Sequence, residues 1–169
     1  MVSAFHERHA RYPEDKINEA KETHERHLNA IHEKLKNKNL SKRLEYTGSS
    51  YEKVKIVTST LEFDVMFIRD GKSFEIHDTK IVEGYATLKP TSDARVESAL
   101  LTEWCLDPKK VTQQFFGEVQ KAINELNLGD VLKIQKHGST AVNLEVSRNG
   151  EKWFDVDLVP TYEVSVNGK

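Results

Sequence analysis

The chain has 169 residues, of which 31% are charged, and a formal net charge of −2. This length suits one domain with a core of its own, and the net charge does not single out a nucleic-acid-binding protein. No apolar run could cross a bilayer, residues 1–6 lack the apolar segment of a secretory signal, and the single cysteine, Cys105, cannot form an internal disulfide. These features argue against membrane-spanning and disulfide-rich secreted proteins and predict a cytoplasmic protein.

A long helix is predicted to begin at Pro13. Proline in the first turn, followed by the acids Glu14 and Asp15, is typical of a helix start. The helix is expected to end near Asn37 or Asn39. Its apolar stripe has steps of three and four residues and consists of Ile17, Ala20, His24, Leu28, Ile31 and Leu35.

Five of the seven histidines lie in or before this helix, namely His6, His9, His24, His27 and His32. Two of them, His24 and His27, are one helical turn apart, as two ligands of a metal ion would be. Because no cysteine or carboxylate group completes a ligand set, we expect solvent-facing histidines on a charged helix instead.

Two regions are predicted, residues 1–43 and residues 44–169. The first contains the long helix and ends in a basic segment, residues 34–43. Its cations are Lys34, Lys36, Lys38, Lys42 and Arg43. Such a run could contact a phosphate backbone. We favour a solvated helix end, where cations also interact favourably with the helix dipole.

Strands and helices alternate irregularly in the rest of the chain. We predict a turn at 47–50, a short helical stretch at 51–54, strands at 61–68, 74–77 and 80–88, a helix from 107 to about 128, and strands at 131–135, 141–147 and 152–159. Turns are predicted at Asp70-Gly71, as a hairpin, and at Gly138-Ser139 and Asn149-Gly150. The pattern indicates an α+β fold with helices packed on a mixed β-sheet.

The first candidate site lies in the strand at 61–68. Glu62 and Asp64 alternate with Phe63, Val65 and Phe67, so the two acids point to one face and the apolar side chains to the other. Adjacent carboxylates repel each other unless a cation lies between them, and carboxylate oxygens are good ligands for Mg²⁺ or Mn²⁺. The alternative to a metal site is an edge strand with one solvent-exposed, acidic face.

Two further patterns support a metal and phosphate site. Gly48-Ser49 precedes the acidic strand, and a glycine with a nearby serine hydroxyl and free N–H groups suits phosphate. Asp155 and Asp157 form a second strand with alternating acids, from which a third carboxylate could complete a site for two metal ions. Alternation cannot choose between these two aspartates.

In order and spacing, four segments resemble cyclic GMP-AMP synthase and its animal relatives, the cyclic GMP-AMP synthase-like receptors and the male-abnormal-type proteins. The segments are GSSYEKVKI at 48–56, EFDVMF at 62–67, GSTAV at 138–142 and VDL at 156–158, which is followed by Glu163. The resemblance covers about residues 44–164. It implies a nucleotidyltransferase fold with a twisted mixed sheet, in which the first helix is the spine helix.

The resemblance also implies roles for individual residues. Glu62, Asp64 and Asp157 match the catalytic ligands of two Mg²⁺ or Mn²⁺ ions, with Asp157 favoured over Asp155 by its spacing to Glu163. The implied nucleotide-binding residues are Gly48, Ser49, Ser50, Glu62 and Asp64. The implied activity joins ATP and GTP into a cyclic dinucleotide for innate immune signalling, with double-stranded RNA or DNA as activator.

The chain also departs from that family. Nothing in it matches the C-terminal helical lobe or the zinc module that some members carry, so region 44–169 is predicted to be the catalytic core portion only. An isolated half is expected to bind nucleotides weakly, because the pocket would lack its second wall. Two alternatives remain open: a transferase that makes linear oligonucleotides, and a non-catalytic module that binds a duplex or a protein through the first helix and the basic segment.

Overall fold

The computed structural model describes residues 13–47, 61–78, 86–137 and 140–164. Their elements, in chain order, are α1 (Glu14–Lys36), β1 (Arg43–Thr47), β2 (Glu62–Asp70), β3 (Phe74–Asp78), β4 (Ala86–Pro90), a 3₁₀ turn (Ser98–Leu100), β5 (Leu101–Thr102), β6 (Cys105–Leu106), α2 (Pro108–Glu125), β7 (Leu132–His137), β8 (Val142–Arg148) and β9 (Glu151–Glu163). The α+β class predicted from the sequence is confirmed.

The main sheet has five strands in the order β1-β2-β9-β8-β7. The two central strands, β2 and β9, run parallel, whereas every other neighbouring pair is antiparallel. The sheet is therefore mixed, as predicted. The edge strand β1 lies where the sequence predicts no strand, because it is short and has no fully buried residue whose periodicity would reveal it.

Both helices pack on one face of this sheet, which we call the inner face. The core joins α1 and α2 to alternate residues of β2, β8 and β9, and its largest fully buried side chains include Phe63, Phe67, Phe115 and Phe154. The opposite face of the sheet, called the outer face below, therefore carries the residues between these buried positions.

Helix α1 confirms the predicted apolar stripe but corrects the expectation for its histidines. His24 and His32 are buried, with exposures of 1% and 9%, rather than solvent-facing. The His24 ring packs against Phe63 with a centroid distance of 4.3 Å, and its Nδ1 lies 2.7 Å from the Ala20 carbonyl oxygen. Burial lowers the pKa of His24 to about 4, which keeps the ring neutral inside the core.

Helix α2 begins as predicted at Asp107-Pro108. The Asp107 carboxylate accepts hydrogen bonds from the backbone N–H groups of Lys109 and Lys110, which satisfies donors left open at a helix start. The predicted turn between β8 and β9 is also confirmed, since Asn149 and Gly150 both have positive φ values.

The predicted hairpin at Asp70-Gly71 is wrong. β2 belongs to the main sheet, whereas β3 pairs with β4 in a separate two-stranded sheet. Gly71 is instead a point of close approach: its N–H donates to the Glu163 carbonyl oxygen at 2.9 Å, and a Cβ at this position would lie 2.5 Å from that oxygen. The strand predicted at 80–88 is described only from Ala86, and there it continues to Pro90.

Candidate functional site

The outer face of the two central strands is acidic. Glu62 and Asp64 on β2 alternate with Phe63 and Val65, which are 1% and 0% exposed. On β9, Asp155 and Asp157 alternate in the same way with buried neighbours, Val156 and Leu158. The alternation predicted from the sequence is therefore present in both strands, and it presents four carboxylates on one side of the sheet.

The parallel register of β2 and β9 brings these acids side by side. Glu62 lies opposite Asp155, and Asp64 lies opposite Asp157. Paired strands are about 4.8 Å apart, and alternate residues along one strand are about 7 Å apart. Glu62, Asp64 and Asp157 thus occupy three adjoining positions of the outer face.

The neighbouring strand β8 adds an amide to this group. Asn143 is paired with Asp157 in the sheet, and its Nδ2 donates to Asp157 Oδ1 at 2.9 Å. Asn143 is not among the site residues predicted from the sequence, although the alternation of β8 with buried Val142 and Leu144 could have placed it on the outer face. Its role is to orient one oxygen of Asp157.

Asp155 differs from Asp157 in its partner. Asp155 Oδ2 forms an ion pair with Lys152 Nζ at 2.7 Å, whereas its Oδ1 is buried and accepts no hydrogen bond from the described residues. The hydrogen bond from Lys152 to Asp155 raises the pKa of the Lys152 ammonium above its ordinary value. The charges of Glu145 and Glu62 raise this pKa further. Lys152 therefore lies within the field of the outer-face acids.

Donor chemistry and geometry give two separate observations about a metal. The candidate ligands Glu62, Asp64 and Asp157 offer only carboxylate oxygens, held on two paired strands, and such donors fit Mg²⁺ or Mn²⁺. Across the described ranges, however, no three acidic, histidine or cysteine side chains are gathered closely enough to enclose an ion.

The predicted glycine–serine segment, Gly48, Ser49 and Ser50, lies outside the described residues. The strand that leads to it does approach the acids, because β1 ends at Thr47, which is paired with Asp64. The chain therefore reaches residue 48 directly from a position beside the candidate metal ligands.

A cavity of about 380 Å³ borders β9 beyond the acids, none of which lines it. Its wall on β9 includes Val159, two positions beyond Asp157, and the adjoining residues up to Tyr162. The other walls come from β4, β6, the start of α2 and Thr140. This volume is at the small end of the range for ligand pockets.

The basic segment is paired with glutamates. Lys34 and Lys38 contact α2 residues, and Lys42 and Arg43 both contact Glu163 on β9 at 3.0 Å. These cationic side chains are 41–54% exposed, in agreement with the expected solvated helix end. Their ion pairs join α1 and β1 to α2 and β9.

None of the helices in the described ranges combines the length and apolar character needed to span a membrane.

Comparison with known proteins identifies a family model and a similar protein. Residues 50–167 match the family model described as Mab-21 protein nucleotidyltransferase domain. The chain is also 30% identical over 132 residues to cyclic GMP-AMP synthase-like receptor 3 of Stylophora pistillata, an alignment that covers 72% of this chain and 38% of that protein. The chain thus spans well under half the length of this relative.

Proposed function

The chain belongs to the Mab-21 nucleotidyltransferase family, and on that premise we propose that its outer face is the metal-binding wall of a nucleotidyltransferase active site. The nucleotidyltransferase fold expected from the sequence is confirmed by this membership together with the mixed sheet. One observation carries the proposal most directly: the register that sets Asp64 beside Asp157, with Glu62 next along β2.

In this proposal Glu62, Asp64 and Asp157 hold two Mg²⁺ or Mn²⁺ ions. Such ions would activate the attacking hydroxyl and stabilise the leaving pyrophosphate. Asn143 fixes the orientation of Asp157, as hydrogen-bonding partners of metal ligands commonly do. Gly48, Ser49 and Ser50 are proposed to bind the nucleotide phosphates, on the strength of their sequence and of their connection to Thr47 beside Asp64.

The substrates in this proposal are nucleoside triphosphates, with ATP and GTP as the pair. The cavity that includes Val159 is not lined by any of these acids, so its use by part of a nucleotide is proposed only from its position farther along β9. From the name of the Stylophora pistillata relative we carry over, as a proposal, a cyclic dinucleotide product. A role of that product in innate immune signalling is proposed from the sequence resemblance alone. Double-stranded RNA or DNA is the proposed activator, and the cytoplasm the proposed location.

A transferase that makes linear oligonucleotides would use the same acids, so product identity separates it from the cyclic reaction. A non-catalytic module that binds a duplex through the basic segment has less support. Lys34, Lys38, Lys42 and Arg43 each contact a glutamate, so a duplex would have to displace these partners.

The experiment incubates the protein with Mn²⁺ or Mg²⁺ and labelled ATP and GTP, with and without duplex RNA or DNA. We expect pyrophosphate and a nucleotide product from the wild-type protein, and none from Glu62→Ala combined with Asp64→Ala. Nuclease resistance and mass of the product distinguish cyclic from linear linkage. Absence of product under all these conditions would contradict the enzymatic proposal.

A further inference from the structure

Lys152 is a cation placed among the outer-face acids without belonging to the proposed ligand set. It lies at the start of β9, three residues before Asp155, and its Nζ contacts Asp155 Oδ2 at 2.7 Å. The charges of Glu145 on β8 and Glu62 on β2 also act on its ammonium group. Lys152 therefore contacts an acid of β9 and is influenced by the charges of acids on both neighbouring strands.

The two β9 aspartates are equivalent in the sequence pattern but not in their contacts. Each lies opposite one β2 acid, since Asp155 pairs with Glu62 and Asp157 with Asp64. Asp157 accepts from the neutral Asn143 amide, whereas Asp155 is neutralised by an ammonium group. Because an ammonium and a divalent cation compete for the same carboxylate oxygens, the ion pair makes Asp155 the poorer metal ligand.

The second oxygen of Asp155 strengthens this reading. Its Oδ1 is buried and has no hydrogen-bond partner within the described ranges. A buried carboxylate oxygen without a partner is costly, so the contact of Oδ2 with Lys152 is the described interaction that stabilises this side chain. Removal of the ammonium group would leave Asp155 anionic and beside Glu62, in a position to attract another cation.

We propose that Lys152 is a positioning residue that occupies Asp155, lowers the affinity of the outer-face acids for divalent cations, and thereby leaves Asp157 as the third metal ligand. This inference rests on the proposed function. It predicts an unusual sign: loss of a side chain at the site strengthens metal binding instead of weakening it.

The size of the effect follows from Coulomb's law. A unit charge about 8 Å from a divalent ion, screened nearly as in water, changes the dissociation constant by about fivefold. The same charge change farther away has less effect. Lys133 on β7 provides that control, since it is exposed, lies two strands from β9 and is paired in register with Glu145.

The test is calorimetric titration of Mn²⁺ into the wild-type protein and into K152M, K152Q, K152R, K133M and the double variant K152M/D155N. We expect K152M and K152Q to bind Mn²⁺ about fivefold more tightly, and K152R and K133M to stay within about twofold of wild type. The double variant restores the net charge of the pair and should return close to the wild-type affinity. Circular dichroism confirms folding, and K152Q replaces K152M if the latter does not fold.

The outcomes separate this inference from the proposed function. Equal Mn²⁺ affinities for K152M and K133M would overturn the inference. In that case the metal site would still be supported if the wild-type protein binds Mn²⁺ and D157N does not. A purely structural ion pair would lower the melting temperature of K152M without changing its Mn²⁺ affinity, which also contradicts the inference. Failure of the wild-type protein to bind Mn²⁺ would overturn the metal site and the inference with it.

Discussion

The basic segment and the acidic outer face are both dense in charge, but their partners differ. In the basic segment, cations meet glutamates from other elements, as Lys38 meets Glu118 on α2 at 2.6 Å. On the outer face, carboxylates lie beside carboxylates, Glu62 beside Asp155 and Asp64 beside Asp157. The first arrangement needs nothing more to balance its charges. The second already contains one ammonium group, that of Lys152, and would be stabilised further by a divalent cation.

This difference shows why charge density alone does not identify a binding surface. A sequence with several lysines near one another suggests a contact with nucleic acid, yet here the lysines stabilise the packing of helices and strands. Two acids at alternate positions of a strand are a weaker sequence signal, but the parallel pairing places them at neighbouring positions of one face with the two β9 acids. Four predictions test the contrast, in order of expected effect.

The largest effect is expected from Asp157→Asn. Loss of a metal ligand removes several kcal/mol of transition-state stabilisation, so product formation should fall by roughly 100-fold or more. Asp155→Asn makes the same chemical change two residues away and should stay within about tenfold of wild type. Initial rates with labelled nucleotides measure both. Equal losses in the two variants would contradict the distinction between the aspartates.

The second prediction concerns His24, which is buried behind the acidic strand. Its folded-state pKa of about 4 lies below the unfolded value of 6.5, so the unfolded chain takes up the proton first as pH falls. Its stabilising contribution is therefore complete above pH 6.5 and is lost between 6.5 and about 4, by roughly 3 kcal/mol. Urea unfolding at several pH values should show this slope.

Two variants test whether His24 causes this dependence of the unfolding free energy on pH. His24→Leu should remove most of it, since the core would no longer contain a group that must stay neutral. His27→Gln replaces a less buried histidine of the same helix and should retain most of the slope. Retention of the full slope in His24→Leu would assign the pH dependence to other groups.

The third prediction concerns Asn143. Asn143→Ala removes the hydrogen bond to Asp157 Oδ1 and should weaken Mn²⁺ binding about tenfold, an effect typical of residues that orient metal ligands. Gln135→Ala is the matched control, because Gln135 is an amide that donates to Glu145, outside the proposed ligand set. A similar loss in both variants would indicate a general disturbance of the sheet.

The smallest effect is expected from the basic segment. Lys38→Met should lower the melting temperature by only a few degrees, as is usual for exposed ion pairs, and leave the Mn²⁺ affinity unchanged. The variant should also leave duplex binding, measured at several salt concentrations, close to wild type. A marked loss of salt-sensitive duplex binding would reverse our interpretation of this segment.

Local patterns were sufficient to predict much of the fold. The apolar stripe of α1 and the alternation of β2 and β9 are each set by residues close in sequence, so the helix and the shared face of Glu62 and Asp64 could be found without the structure. The hydrophobic pattern of α1 also contained His24, yet the side chain's polarity led to the wrong expectation that it faces solvent.

Long-range pairing explains what the sequence did not reveal. The contact of Asn143 with Asp157 and the position of Lys152 near Glu62 depend on which strands are neighbours and in what register. The mistaken hairpin at Asp70-Gly71 has the same origin, since a turn-like dipeptide cannot tell whether the next strand returns to the same sheet. The phosphate-binding role of Gly48 to Ser50 remains a prediction.

The close approach at Gly71 has a consequence for strand alignment. Parallel strands have no short turn to set their register, and a slide of β9 by two residues would keep each side chain on its present face of the sheet. It would nevertheless place Glu62 opposite Asp157 and Asp64 opposite Val159. The Gly71 backbone contacts the Glu163 carbonyl where no Cβ would fit, and this contact fixes the register of the two strands. A residue far from the acids thereby determines which acids become neighbours.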